Sequence, residues 1–374
     1  MRLFVRSIDV DTDARLRRFI SALRQRSRPY FITYWHRRDE PPTNDPFRVP
    51  FCHAAPIGAR WRNAVGLAMW NLHIARTIWR YRRSLTSVQA IDLDCALTAG
   101  CCCFLLGIPF IFDIYDSYPD SRSMHGVVAT AARRIEGWLA KRAALTIIAD
   151  AGRRRQHGIA DDVDVMVVEN VPATDWSQTL MPDLVPGRPI VLGYLGNLET
   201  RHRGLEDVLT LVAGDDRYRL LIAGTGALEQ TVRQAANACD RIVFFGPVEH
   251  HDGMALMARC HILLGLYYLS VPNHRYAAPN KYYEHLILGR PLLTTRSTPP
   301  GNRVRQHETG WAVDDGAASI EACLGDLVDD HAAIVTAGAR ARALWDRNYA
   351  NYVSTVIDVQ YVDSAAAIES GAII

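Results

Sequence analysis

Residues 190–204 read Ile-Val-Leu-Gly-Tyr-Leu-Gly-Asn-Leu-Glu-Thr-Arg-His-Arg-Gly, an aliphatic run of strand length that breaks at Gly196 into a polar, basic loop. The pattern recurs. Residues 220–223 lead into Gly224-Thr225-Gly226, 242–245 into Gly246-Pro247-Val248, 262–266 into a long loop with Tyr and Asn, and 291–294 into a Ser-, Pro- and Gly-containing turn. Short apolar runs alternating with amphipathic segments predict a parallel sheet covered by helices. The loops at the C-terminal ends of its strands are where such sheets bind ligands.

A second series precedes this one, at residues 3–5, 29–33, 90–93, 109–112, 146–149 and 165–168. Between its second and third runs lies a helix with Trp61, Val65, Ala68, Leu72 and Trp79 at helical spacing. Residues 169–176 and the polar, proline-bearing 181–189 read as an interdomain linker. The expected organisation is one Rossmann-like domain over 1–175, another over 188–345, and a helical tail, 346–374, returning to the first.

The 374 residues, 49% hydrophobic and 22% charged, suffice for two cores and exclude fibrous and disordered classes. Eight cysteines, three of them consecutive at 101–103 in an apolar run, suit buried thiols and a reducing compartment better than a disulfide framework. The net charge of +2 hides an asymmetry: residues 1–90 hold 17 Arg, no Lys and 6 acids. Only Lys141 and Lys281 are lysine among 42 basic residues, so a lysine here draws attention. No hydrophobic segment of signal-peptide length opens the sequence, and the apolar stretch 97–112 is broken by Gly107 and Pro109. A cytoplasmic location, extending to the inner face of the membrane, is therefore expected.

Residues 278–295 read Ala-Pro-Asn-Lys-Tyr-Tyr-Glu-His-Leu-Ile-Leu-Gly-Arg-Pro-Leu-Leu-Thr-Thr. A helix starting near Asn280 offers free amides and the positive end of its dipole, and Lys281 adds a full charge, so phosphate is the natural ligand. Glu284 lies about one turn deeper on the same face, where a carboxylate accepts hydrogen bonds from sugar hydroxyls. Together they point to a nucleoside diphosphate. The alternative from residue types alone is a capped surface helix with a solvated Lys and Glu.

Five ordered segments, YLGNLETRHRGLEDVL, LLIAGTGALEQTV, RIVFFGPVEHHDGMALMARCHILL, APNKYYEHLILGRPLLTT and ETGWAV, resemble successive units of the nucleotide-sugar-dependent glycosyltransferases of the GT-B fold, family 4 in particular. The N-terminal half matches more faintly, in DTDARLRR, AIDLDCALTAG and FIFDIYDSYPD. The resemblance implies an α/β GT-B architecture, two Rossmann-like doubly wound domains facing across a cleft. It implies retaining transfer of a sugar from a nucleoside-diphosphate donor to a carbohydrate or lipid-linked acceptor, in surface polysaccharide or glycoconjugate biosynthesis. It also implies no metal and no other cofactor; His250, His251 and Asp252 adjoin one another without ligand-like partners.

Carried onto this chain, the resemblance places Arg203, before Gly204, where the family has Lys-Gly opposite the donor pyrophosphate. Asn197, after Gly196, stands in the loop where the family has a further phosphate-binding Arg, a part Arg201 can take instead. Gly224 and Thr225 would let backbone approach the donor, and Pro247 and Val248 stand where the family meets the base. Asn280 and Lys281 would hold phosphate, and Glu284 matches the second glutamate of the family's spaced pair. Tyr276 replaces the first.

In the first domain relatives have His-Glu where this chain has Tyr115-Asp116, which removes a group often placed near the transferred sugar. Asp116 is the candidate for orienting an acceptor hydroxyl or acting as base, with turn capping the alternative. Asp13, Arg15 and Tyr115 complete the acceptor-binding set, an N-cap and a solvated first-turn residue being the alternatives for Asp13 and Arg15. The catalytic set is Asp116, Arg203 and Lys281. The Arg- and Trp-rich segment 60–84 suits an anionic membrane surface; against this stands burial of Trp61, Trp70 and Trp79 inside the domain. No recognised motif accompanies the charge, so nucleic acid is not an expected partner. Two rival functions remain: a GT-B nucleotide-sugar epimerase, and a binding protein that kept the fold and lost activity.

Overall fold

The computed structural model describes residues 1–38, 40–54, 60–122, 124–173, 176 and 179–371. The chain forms two units: Met1–Glu169 together with the segment from Tyr352 onward, and Asn170–Asn351.

The first unit runs β1 (Arg2–Arg6), α1 (Ala14–Gln25), β2 (Tyr30–His36), β3 (Arg48–Cys52), α2 (Arg60–Tyr81), β4 (Ser87–Ile91), α3 (Leu93–Leu106), β5 (Phe110–Ile114), α4 (Tyr118–Ser121), α5 (Gly126–Arg142), β6 (Leu145–Ile148), α6 (Arg153–Gln156) and β7 (Val165–Val167). All seven strands are parallel, in the order β3-β2-β1-β4-β5-β6-β7. Strand order reverses on either side of β1, so right-handed crossovers send α1 to one face and α2, α3 and α5 to the other. The alternating side chains of β1 record the division. Leu3 and Val5 join Trp70, Ile74, Ala99 and Leu139 in one core, and Phe4 joins Leu16, Phe19 and Leu23 in the other.

One strand of this unit, β3, has no counterpart among the expected runs. It is half-buried, lies at the sheet edge and contains Pro50, which only an edge tolerates, so it lacks the continuous aliphatic signature of its neighbours. Along α2, Trp70 is fully buried whereas Trp79 is 59% exposed, so the expectation that both pack inside holds for Trp70 alone. The Trp61 side chain lies outside the described residues.

The second unit comprises β8 (Ile190–Leu195), α7 (Leu205–Gly214), β9 (Tyr218–Ala223), α8 (Glu229–Ala238), β10 (Ile242–Phe244), α9 (His250–Met257), β11 (Ile262–Gly265), α10 (Asn280–Leu288), β12 (Leu292–Thr295), α11 (Pro299–His307), β13 (Gly310–Val313), α12 (Ala317–Asp329) and α13 (His331–Asn348). Its six parallel strands are ordered β10-β9-β8-β11-β12-β13, again with the reversal beside the first strand of the series. The stretch read as a linker is fastened to this unit. Asn170 donates to the Ala278 carbonyl at 2.8 Å, Arg342 to that of Trp176 at 3.0 Å, and the buried Arg290 to that of Leu180. Thr174 and Asp175 in that stretch lie outside the described residues.

After α13 the chain rejoins the first unit as a wide, π-type helical stretch, Val353–Tyr361, that continues into α14 (Val362–Glu369). Ile357, Tyr361, Val362 and Ala365 complete the core on the α1 face. A buried polar chain locks this segment in. Arg2 donates to the Tyr361 hydroxyl at 2.9 Å, that hydroxyl to Gln89 Oε1 at 2.6 Å, and Gln89 Nε2 to Asp113 at 3.1 Å. Arg2 also pairs with Glu369 at 2.8 Å, and Ser87 donates to the same carboxylate at 2.6 Å. Buried polar groups are costly when left unmatched. Tyr361→Phe therefore removes the acceptor for Arg2 and the donor for Gln89, and should lower the unfolding free energy by about 1–3 kcal/mol in denaturant titration. An unchanged midpoint would show the chain to be dispensable.

Candidate functional site

Three glycine-bearing loops meet at the C-terminal edge of the second sheet. The Gly196 N–H bonds the Ala223 carbonyl at 3.0 Å, the Gly224 N–H that of Gly246 at 2.8 Å, and the Leu198 N–H that of Thr225 at 2.8 Å. The approach is close enough to demand glycine: a Cβ on Gly224, at φ 143°, would fall 1.8 Å from the Gly196 carbonyl oxygen. A Cβ on Gly196 would lie 3.0 Å from the Lys281 ammonium, so the lysine reaches from the first turn of α10 over the loop after β8.

Around that point the structure gathers most of the expected donor residues. Lys281 Nζ sits 4.0 Å above the centre of the Tyr194 ring, an aromatic face that attracts a cation. The Arg203 guanidinium stands 4.6 Å from the centre of the Tyr267 ring and donates twice to Glu199, at 3.1 and 3.2 Å. Burial works against the Arg203 charge, but Tyr267 and Glu199 outweigh it and raise its pKa. Glu199 is held below its usual range because the bonds from Arg203 and Asn197 overcome its burial. Lys281 is different. Burial, reinforced by Arg203, pushes it down to about 7 despite Glu284 and Glu199.

Glu284 is buried, with Oε1 3.0 Å from His250 Nε2 at the start of α9. The exposed Asn197 spends its side-chain amide on Glu199 at 2.9 Å. Asn280 opens α10, while Pro247 and Val248 follow the stitched Gly246. Arg201 is exposed, and its backbone N–H bonds Glu206 at 2.9 Å. Sequence reasoning missed five residues of this cluster: Tyr194, Glu199, Tyr267, His250 and His274. His274 is buried, pushed down to about 4 by burial and by Arg203, and its Nδ1 lies 2.8 Å from the Tyr268 carbonyl. Strand-terminal tyrosines beside a glycine loop were the available signal for Tyr194 and Tyr267.

The first unit carries the second set, also at its C-terminal strand edge. Asp13 caps α1 by accepting the Leu16 N–H at 2.9 Å, and it binds Arg6 at 2.7 Å and the Tyr115 hydroxyl at 3.3 Å. Arg15 is not solvated. It is buried against Asp113 at 3.1 Å and donates to the Val168 carbonyl, so its charge is already neutralised inside the unit. The Tyr115 ring lies between Arg6 and Arg15, 4.6 and 5.0 Å from the two guanidinium carbons. Asp116 pairs with Arg153 at 3.0 Å and keeps its carboxylate half exposed.

Sequence reasoning also missed Asp92, at a positive φ of 60° just after β4. It accepts the Tyr115 N–H at 2.9 Å and pairs with Arg6 at 2.5 Å, and burial, opposed by Arg6, lifts its pKa to about 6. Among the described residues no group of three or more His, Cys, Asp and Glu is gathered as a metal would need.

Residues 189–330 match the family model of the group 1 glycosyl transferases. Those residues form a group 1 glycosyltransferase domain, in a chain of GT-B fold. Among solved structures, Anabaena HepE in complex with UDP superposes with a TM-score of 0.69 at 15% identity, over 98% of this chain and 99% of that one. Sucrose-phosphate synthase from Thermosynechococcus elongatus gives 0.68 at 15%, covering 99% and 100%. The lipopolysaccharide outer core galactosyltransferase WaaB gives 0.59 at 14%, with both chains fully covered. No curated protein matches. At such identities the structures establish the fold, and the protein is an enzyme of glycosyl transfer whose cation cluster lies within the matched domain.

That cluster makes a titration prediction. In the free enzyme Lys281 loses its proton above about 7, whereas a bound diphosphate restores the ammonium. Affinity for a nucleotide sugar should therefore fall as pH rises through the range about 7 to 9, and calorimetry in buffers of different ionisation enthalpy near pH ~8 should show proton uptake. Lys281→Ala should abolish the uptake. Constant affinity with no uptake would contradict the assignment.

Proposed function

We propose that this glycosyltransferase moves a sugar, with retention, from a nucleoside-diphosphate donor to a carbohydrate or lipid-linked acceptor in surface polysaccharide or glycoconjugate assembly. The observation that carries the reading is the pair of cations, Arg203 and Lys281, converging on one glycine-lined sheet edge where Glu199 compensates only the first. A diphosphate is the ligand that supplies the missing negative charge.

In the proposed reaction the bond between the sugar C1 and the phosphate oxygen breaks. The acceptor oxygen attacks C1 from the same face, and its proton passes to the departing phosphate oxygen. Such a step needs positioning and stabilisation of the leaving group more than it needs a strong enzymic base. Lys281, Arg203 and the N-terminal amides of α10 take the leaving-group role, and Glu284 receives hydroxyls of the nucleotide ribose. Asp116, held in place by Arg153 at 3.0 Å, orients the acceptor hydroxyl. Two protein cations facing the diphosphate do the neutralisation that a divalent ion otherwise supplies, so the proposed enzyme keeps its turnover in EDTA.

The test is a panel of nucleoside-diphosphate sugars and acceptors with mass detection of released nucleotide and product. Release that depends on acceptor, with the product anomer matching the donor, supports the reading. Conversion of the donor to an isomeric nucleotide sugar without acceptor and without net nucleotide release identifies an epimerase, and absence of any nucleoside-diphosphate binding identifies a protein that kept only the fold. Lys281→Ala and Glu284→Ala should each weaken donor binding or turnover about tenfold or more, a loss of ~1.4 kcal/mol, with little change in melting temperature. Wild-type turnover in both variants would remove the site assignment.

A further inference from the structure

Helices α2, α3 and α5 form one layer over the first sheet, with α3 packed against both of the others. Each connects the C-terminal end of one parallel strand to the start of the next, so all three run the same way. Their inner faces supply the core. Their outer faces are unusually apolar for a surface: Leu105 is 87% exposed, Val127 86%, Trp79 59%, Leu72 50%, Met69 47% and Trp138 38%. These residues come from all three helices and from both ends of the layer, so the apolar character belongs to the face as a whole.

The charge on this face is one-sided. The three helices contain two carboxylates, Asp94 and Glu136, and both are buried. Arg62, Arg76, Arg80, Arg134, Lys141 and Arg142 are exposed on the same helices. Two of the aromatics are paired with these cations or their neighbours: Arg142 lies 4.7 Å from the Trp138 ring centre and Arg82 4.5 Å from that of Trp79. Exposed Trp beside Arg, with aliphatic side chains between them and no exposed acid on the helices themselves, Asp162 of the loop before β7 pairing with Lys141 at 3.2 Å, is the composition that enters the boundary of an anionic bilayer. An acidic protein or nucleic acid would match the charge and leave the Leu and Val in water. No helix among the described residues is long and apolar enough to cross a membrane, so the contact is one of lying on the surface.

We infer that the outer face of the α2–α3–α5 layer is a docking surface for an anionic lipid bilayer. The surface extends beyond segment 60–84 to α3 and α5, and within that segment Trp70 takes no part because it is core. The inference stands independently of which sugar or acceptor the enzyme uses.

Flotation of the purified full-length protein with vesicles of phosphatidylcholine alone, or mixed with phosphatidylglycerol, tests it. The expected result is partition onto the anionic vesicles only, weakening as salt screens the arginines. Leu105→Asp and Val127→Asp lie on different helices and are nearly fully exposed, so neither should alter melting temperature or nucleotide binding. Each should reduce partition several-fold, and the double variant at least tenfold. Failure of the wild type to float, or equal flotation of the double variant, overturns the proposal. So does a concentration-dependent dimer abolished by the same substitutions, which would make a second copy the occupant of this face.

Discussion

Two positive charges held at one strand edge with compensation for only one of them set the terms for the second unit. Glu199 engages Arg203 through both oxygens, and Glu284 is engaged by His250. Among the described residues Lys281 makes no ion pair; it rests on the Tyr194 ring and yields its proton readily. The rest of the edge serves this arrangement. Glycine at 224 lets the loops after β8 and β9 close to a spacing that any Cβ would prevent, and glycine at 196 leaves room for the ammonium. The tyrosines at 194 and 267 supply surfaces on which cations can be held dry.

The edge of the first unit is built on the opposite principle. Arg6 is shared by Asp13 and Asp92, Arg15 is bound by Asp113, and Arg153 holds Asp116. Each of these cations has at least one carboxylate of its own, and the Tyr115 ring lies against two of the guanidinium groups. A balanced polar edge gives little reward to a phosphate and more to neutral hydroxyls, which are recognised by hydrogen bonds to groups already in place. The Arg15–Asp113 pair is further tied through Gln89 and Tyr361 to the segment that returns from the second unit. The last stretch of sequence thus helps hold a strand edge formed by the first third.

Both sheets were legible in the sequence because buried parallel strands are continuous aliphatic runs that end in glycine or polar loops. The exceptions, β3 and β13, sit at sheet edges and are only half-buried; β3 carries a proline and β13 reads Gly-Trp-Ala-Val, so neither shows an aliphatic run. Lys281 and Glu284 were legible because they share one helix turn. Their partners were not, since Tyr194 reaches Lys281 from β8 and His250 reaches Glu284 from the start of α9, and adjacency of that kind leaves no trace in spacing. The solvated alternative for Arg15 fails for a related reason: an arginine in a first helical turn reads as solvated until the carboxylate of a distant strand is seen beside it. The tryptophans of α2 did contain their answer. Positions 70 and 79 are nine residues apart, which at about 100° per residue puts them on opposite sides of a helix, one in the core and one in water.

Lys281, one of only two lysines in the chain, also has a physical explanation. A guanidinium stays charged at any accessible pH, so an arginine at position 281 would place a permanent buried cation beside Arg203 whenever the site lacked an anion. An ammonium can shed its proton when desolvated and recover it when phosphate arrives, which lets the free enzyme tolerate the crowding that the bound state needs. Arg203 sits where Glu199 can compensate it permanently, and there the rigid, always-charged fork costs little. At positions 203 and 281 the choice between the two basic residues therefore follows from whether a carboxylate is bonded to the cation there.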